Sequence, residues 1–168
     1  MGIPRDNRIA VAAAIAIALL AGACQTSPSP PSASPNAAAP TINTSYMSQF
    51  KTQILTNSAG HALYIFQPDH RQRATCTGSC AAIWPPVLLS HSQRPVAGPD
   101  MQPSLLGSDP YAGNSSVVTY SGWPLYTYIS DTTPGVAVGQ GLNLNGGYWY
   151  VIRPDGQPIV PPGDPPAT

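Results

Sequence analysis

The sequence is poor in charge of either sign. It contains no glutamate, its only lysine is Lys51, and 8% of its 168 residues are charged, with a formal net charge of zero. Such a composition gives no electrostatic basis for binding nucleic acid or an anionic bilayer surface. We therefore expect no nucleic-acid partner, and a surface solvated by serine, threonine, asparagine and glutamine.

Long apolar runs are also scarce. One run, residues 9–20, follows Arg5 and Arg8 and has the length of a signal segment rather than of a membrane span. It leads through small residues into Cys24, and this junction resembles the bacterial lipobox. We predict a signal peptide over residues 1–23 and lipid, palmitate included, on Cys24. The alternative is an ordinary secreted protein in which Cys24 is incidental.

Proline and glycine are abundant, with 21 and 15 copies, and both disfavour a helical protein. Residues 24–40 comprise the lipidated cysteine and a linker rich in proline, serine and alanine, which predicts an extended tether. A short tail, residues 161–168, is expected to be unstructured. The folded domain is predicted over residues 41–160.

An internal repeat is the most informative feature of the domain. Gly60 and Gly122 each begin the pattern G-x-x-L-Y-x-aromatic-x-x-D. The repeated positions are Tyr64, Phe66 and Asp69 in the first copy and Tyr126, Tyr128 and Asp131 in the second. A β-prone run precedes each copy and a Trp-led apolar run follows it, so the repeats extend over about 53–89 and 117–153.

Each copy is interpreted as a hairpin followed by a third strand. Residues two apart on a strand share a face, so the aromatic pair of each copy points to one side. Packing of the two aromatic faces predicts an all-β fold with a pseudo-two-fold relation between the repeats. The expected architecture is a small sandwich or a partly open barrel.

The repeated Y-x-[FWY]-x-x-D motif resembles that of the bacterial "secreted repeat of unknown function" lipoproteins. A C-x-G-x-C-A-x-x-W-P-P stretch beginning at Cys76 and a T-Y-x-G-x-P-L-Y segment beginning at Thr119 strengthen the resemblance. It implies a location on the outer face of the cytoplasmic membrane or in the cell envelope. It implies no particular activity.

Asp69 and Asp131 occupy matching positions, which leaves two interpretations open. Brought together by the pseudo-symmetry, the two carboxylates would bind a cation or act as acid and base. Alternatively, each aspartate caps the loop that ends its strand. We favour loop capping, because strand-ending aspartates commonly do this and metal cages need more oxygen ligands.

Cys76 and Cys80 are predicted to form a disulfide, as paired cysteines outside the cytoplasm usually do. The alternative is a copper or redox site that uses Cys76 and Cys80 together with His70 or His91, because reduced copper prefers thiolate and imidazole ligands. No metal or other cofactor is expected if the disulfide forms.

Trp84, Trp123, Trp149, Tyr148 and Tyr150 are more aromatic residues than a thin core is expected to hold. Some of them are candidates for an exposed surface that contacts an envelope protein or a glycan. For at least half of them, packing between strands is the favoured interpretation. No catalytic residues are identified. The leading hypothesis is therefore a lipid-anchored, non-enzymatic binding or structural module, ahead of the copper or redox protein and a hydrolase of envelope material.

Overall fold

The structure is a computed structural model that describes residues 41–71, 73–90 and 92–167. All of these residues belong to one compact unit. The signal peptide, Cys24, the linker and His91 lie outside the described residues. The elements, in chain order, are β1 (Ile42–Met47), β2 (Thr52–Asn57), β3 (Tyr64–Phe66), α1 (Ser79–Ile83), β4 (Leu88–Ser90), β5 (Leu106–Pro110), β6 (Ser115–Tyr120), β7 (Trp123–Pro124), β8 (Asn143–Leu144) and β9 (Gly147–Val151).

No helix within these described ranges is long and apolar enough to cross a membrane.

The strands form three antiparallel sheets. The first pairs β1 with β2, the second has the order β3-β9-β8, and the third has the order β4-β6-β5 with β7 also paired to β6. The all-β prediction is confirmed, and none of the three sheets, as far as the structure describes them, closes on itself.

Turn chemistry sets the hairpin of the second repeat. Tyr120 pairs with Trp123, which leaves Ser121 and Gly122 as a two-residue connection. Both have positive φ, 51° and 81°, as a type I′ turn requires at its two central positions. This turn matches the right-handed twist of the strands it joins, so the predicted hairpin forms here.

The third strand of each repeat pairs with the hairpin of the other repeat. Trp149 on β9 pairs with Phe66 on β3, and the amide of Leu55 on β2 donates to the carbonyl of Ile152 at 2.9 Å. In the opposite direction, the amide of Thr127 donates to Pro85 at 2.9 Å. The sequence predicted three strands for each copy but left their partners open, and the structure shows them exchanged.

Two strands lie outside the predicted repeats. β1 pairs along the whole of β2, and β5 pairs along β6 in the equivalent position. Each structural repeat therefore begins with a strand that the motif does not include. β5 falls in a stretch where proline, glycine and aspartate obscure the alternation of apolar residues.

The core has two parts, one on each face of the β3-β9 pair. Tyr64 and Phe66 point into one part, whereas Leu63 and Ile65 point into the other. All three residues of β3 are buried, as expected of a strand with a core on both faces. This strand pair is the middle layer of the domain.

Four of the five aromatic residues lie in the core, which agrees with the packing interpretation favoured for at least half of them. Trp84, Trp123, Trp149 and Tyr150 are fully buried, and Tyr148 is half-buried. The interlocked repeats enclose two cores and therefore bury more rings than a single thin core would hold.

The proline-rich tail, which was expected to be unstructured, lies against the domain through residue 167. The Tyr150 hydroxyl donates to the carbonyl of Pro165 at 2.9 Å, and the Gln67 amide group donates to Pro166 at 3.2 Å. Prolines lack an N–H but keep a carbonyl acceptor, and the domain supplies the donors.

Candidate functional site

Tyr64 and Tyr126 lie together at the centre of the interlocked repeats. The amide of Tyr64 donates to the carbonyl of Tyr126 at 2.9 Å, and the amide of Tyr126 donates back to Tyr64 at 3.0 Å. This reciprocal antiparallel bridge joins equivalent residues, as a local two-fold relation requires. The pseudo-symmetry predicted from the motif therefore passes between the two motif tyrosines.

The tyrosine of each motif binds the aspartate of the other. The Tyr64 hydroxyl donates to Asp131 Oδ2 at 2.6 Å, and the Tyr126 hydroxyl donates to Asp69 Oδ2 at 2.8 Å. All four side chains are buried. The motif therefore encodes two crossed hydrogen bonds that hold the repeats together.

Both aspartates also bind the loop that follows their own strand. Asp69 Oδ1 accepts from the amide and the hydroxyl of Thr75, at 2.8 and 2.6 Å. Asp131 Oδ1 accepts from the amide of Val138 at 2.9 Å. These contacts match the loop-capping interpretation, and each carboxylate has both of its oxygens in use.

Burial shapes the protonation of this cluster. Desolvation raises the pKa values of Asp69 and Asp131 above the usual aspartate range, while their hydrogen bonds act in the opposite direction. Desolvation also raises the pKa values of Tyr64 and Tyr126, and the neighbouring aspartates add to the effect. The tyrosines are therefore held as neutral hydrogen-bond donors.

Four aromatic rings form a continuous stack beside these hydrogen bonds. Trp84 and Trp149 lie face to face with ring centroids 3.9 Å apart. Phe66 stacks on the outer face of Trp149 at 4.2 Å, and Tyr128 stacks on the outer face of Trp84 at 4.1 Å. Each motif aromatic thus packs against the tryptophan of the other repeat, which makes the stack a second link between them.

Gly139 allows the backbone to approach this stack closely. A Cβ atom at Gly139 would lie 2.7 Å from Trp84 Cη2, and the Gly139 amide donates to the Tyr64 hydroxyl at 3.2 Å. Any larger residue would separate the loop from the ring and break this hydrogen bond.

Cys76 and Cys80 form a disulfide, which confirms the sequence prediction. It closes the chain between the loop bound by Asp69 and the helix α1. The carbonyl of Cys76 accepts a hydrogen bond of 2.9 Å from the Tyr111 hydroxyl of the second repeat. The disulfide therefore fixes the point at which this loop meets β5.

The copper alternative receives no support from this geometry. The two sulfur atoms are bonded to each other, whereas copper(I) would need them as thiolates. Three or more metal-ligating residues do not come together anywhere in residues 41–71, 73–90 and 92–167. His70 follows Asp69 at the surface, and His91 falls outside those ranges.

An open groove of about 1080 Å³ lies between the disulfide loop and the end of β5. It is lined by Arg71, Arg73, Ala74, Thr77, Asp109, Pro110, Tyr111 and Ala112. The Arg71 guanidinium lies 5.7 Å from the centroid of the Trp123 ring, within the range of a cation–π contact. The groove thus combines charges of both signs with small apolar side chains.

Sequence reasoning missed this groove. A signal existed in the comparison of the two repeats, because Arg71 and Arg73 stand where the second copy has Thr133 and Gly135. This difference marks a charged surface that the two copies do not share. The motif residues, by contrast, come together in the core as predicted. Each motif tyrosine binds the aspartate of the other repeat, and each motif aromatic stacks on the tryptophan of the other repeat.

These features define an all-β protein made of two interlocked copies of one repeat, with a charged groove on the first copy. Residues 51–88 and 114–153 match the family model described as "secreted repeat of unknown function". The chain therefore carries two copies of this family's repeat, which confirms the resemblance that its motifs predicted. No curated protein and no solved structure matches the chain.

Proposed function

We propose that this protein is a lipid-anchored, non-enzymatic binding or structural module, held on the outer face of the bacterial cytoplasmic membrane or elsewhere in the cell envelope. Its partner would be an envelope protein or a glycan. The family description, a secreted repeat, supports a location outside the cytoplasm. The disulfide is also typical of that compartment.

One observation carries the binding role. The sequence repeat made Asp69 and Asp131 candidates for an acid–base pair. Both carboxylates are buried, and both oxygens of each accept internal hydrogen bonds. General acid–base catalysis needs a group within hydrogen-bond reach of a substrate. Arg71, Arg73 and Asp109, by contrast, line an open groove, which suits binding.

The anchor is supported by the sequence around Cys24. An apolar signal segment of modest length, small residues and then cysteine are the order that lipoprotein processing requires. A proline-rich stretch between Cys24 and the domain would act as a spacer. Acyl chains on Cys24 would then attach the protein to the membrane.

The test is metabolic labelling with palmitate of the full chain expressed in a bacterium, followed by separation of membranes from soluble fractions. We expect label on the wild-type protein and its recovery with membranes. The Cys24→Ser variant should carry no label and leave the membrane fraction. An unlabelled, soluble wild-type protein would contradict the anchor.

A further inference from the structure

Three charged side chains share the groove without neutralising one another. Arg71 and Arg73 line one wall and Asp109 lines the other. The only ion pair within the described ranges joins Arg153 to Asp155, at 3.1 Å. Neither groove arginine is therefore paired with Asp109, and all three charges remain available to a ligand.

The walls of the groove are tied in place. The hydrogen bond from the Tyr111 hydroxyl to the Cys76 carbonyl joins the two sides of the groove. The hydrogen bonds between Thr75 and the buried Asp69 fix the loop that precedes Cys76. His70 and Arg71 have positive φ, 49° and 55°, which L-residues rarely adopt in succession. Arg71 therefore lies over Trp123 with its backbone in a rarely populated conformation, and such conformations cluster at binding sites.

We infer that this groove binds a peptide that carries a carboxylate beside an amino group. The inference rests on the proposed binding function and names its ligand class. Arg71 and Arg73 offer two guanidinium groups, which suit a carboxylate, and Asp109 offers an acceptor for an ammonium group. A ligand with both signs of charge satisfies all three side chains.

Other ligand classes fit less well. A purely anionic polymer would meet Asp109, and a purely cationic one would meet two arginines, so each would leave repulsion in the groove. The volume, about 1080 Å³, lies at the upper end of the range of about 300–1,000 Å³ usual for small-molecule pockets, and it has room for a short peptide. Ala74, Pro110 and Ala112 supply apolar contact for the short side chains of a peptide.

The experiment measures binding by titration calorimetry with the full chain, purified in detergent from a bacterium that exports it. The probe is an N-acetylated tetrapeptide with one lysine and a free C-terminal carboxylate. Its matched controls are the C-terminal amide and the peptide acetylated on the lysine. We expect the free peptide to bind and each control to lose about tenfold in affinity. Equal affinity for all three peptides would overturn the inference.

Substitutions of the groove residues test whether the peptide binds in the groove. Arg73→Gln and Asp109→Asn should each weaken binding of the free peptide about tenfold. Arg94→Gln is the matched control, because Arg94 is also exposed but lies away from this groove. An equal effect of Arg94→Gln would contradict the proposed location. Circular dichroism of each variant confirms that the fold is intact.

Polyglutamate tests the competing ligand class, a purely anionic polymer. If the groove were an anion site, polyglutamate would bind the wild-type protein and Asp109→Asn would strengthen that binding, which would overturn the inference. If neither peptide nor polymer binds while palmitate still labels Cys24, the ligand class is wrong but the anchor stands. The two proposals therefore fail separately.

Discussion

At the residue scale, the fold depends on two buried carboxylates and the donors that satisfy them. Burying an ionised carboxylate is costly unless hydrogen bonds replace its hydration. Asp69 receives three donors and Asp131 receives two, and one donor of each set is a tyrosine from the other repeat. Tyrosine and aspartate therefore recur in the motif as members of crossed pairs.

Removing either tyrosine hydroxyl should destabilise the protein. Tyr64→Phe and Tyr126→Phe each leave a buried aspartate oxygen without its donor, so we expect a loss of about 1–3 kcal/mol in the free energy of unfolding. Urea denaturation measures it. Tyr46→Phe is the control, because Tyr46 is 62% exposed. A loss no greater than that of the control would contradict the role of the crossed pairs.

The raised pKa of Asp131 predicts a pH dependence of stability. A carboxyl whose pKa is higher in the folded than in the unfolded state binds more protons when folded. Stability from this group is therefore fully present below about pH 4, the unfolded pKa, and is lost as pH rises through the folded pKa. The same sign holds for Asp69.

The measurement is the urea midpoint as a function of pH for wild type and Asp131→Asn. We expect Asp131→Asn to be less stable at every pH, because an amide cannot accept both hydrogen bonds, but to show a flatter decline above pH 4. Asp155→Asn, at an exposed position, provides the comparison. An unchanged slope in Asp131→Asn would show that Asp131 does not titrate in this range.

At the scale of elements, the sequence predicts strands and turns but not their partners. Alternation, β-branched residues and turn residues are local signals, and they placed β2, β6 and the hairpin at Gly122 correctly. The runs led by Trp84 and Trp149 carry nearly the same pattern, so either could pair with either hairpin. The packing of the whole core decides which third strand pairs with which hairpin, and no local sequence pattern specifies that packing.

The disulfide is predicted to contribute modestly to stability. Closing so short a loop restricts the unfolded chain by about 2 kcal/mol on the chain-entropy estimate. The double variant Cys76→Ser/Cys80→Ser should lose about that much in the free energy of unfolding. Reductant should destabilise the wild type but leave the double variant unchanged. If reductant also destabilised the double variant, its effect on the wild type could not be assigned to the Cys76–Cys80 disulfide.

At the scale of the molecule, the symmetric core and the proposed binding site are made of different residues. The core is built from equivalent residues of the two repeats, whereas the disulfide, the arginine pair and the groove belong to the first repeat and its contact with β5. A duplicated core gives stability from both copies alike. Differences between the copies can then accumulate on the surface, and that is where we place the binding site.

Exchange of the third strands also means that neither repeat is complete. Residues 41–99 lack the strand that covers β3, and residues 100–168 lack the strand that pairs with Tyr126. Each half would also bury an aspartate without its tyrosine. The interlocked domain should therefore unfold in a single cooperative transition.

The most direct test of the interlocked fold is to produce residues 41–99 and 100–168 as separate chains and record circular dichroism and one-dimensional NMR spectra. We predict that each chain alone is unfolded. Mixed in equal amounts, the two should recover the dispersed spectrum of residues 41–168. A single chain that folds cooperatively by itself would contradict strand exchange and the crossed tyrosine–aspartate pairs together.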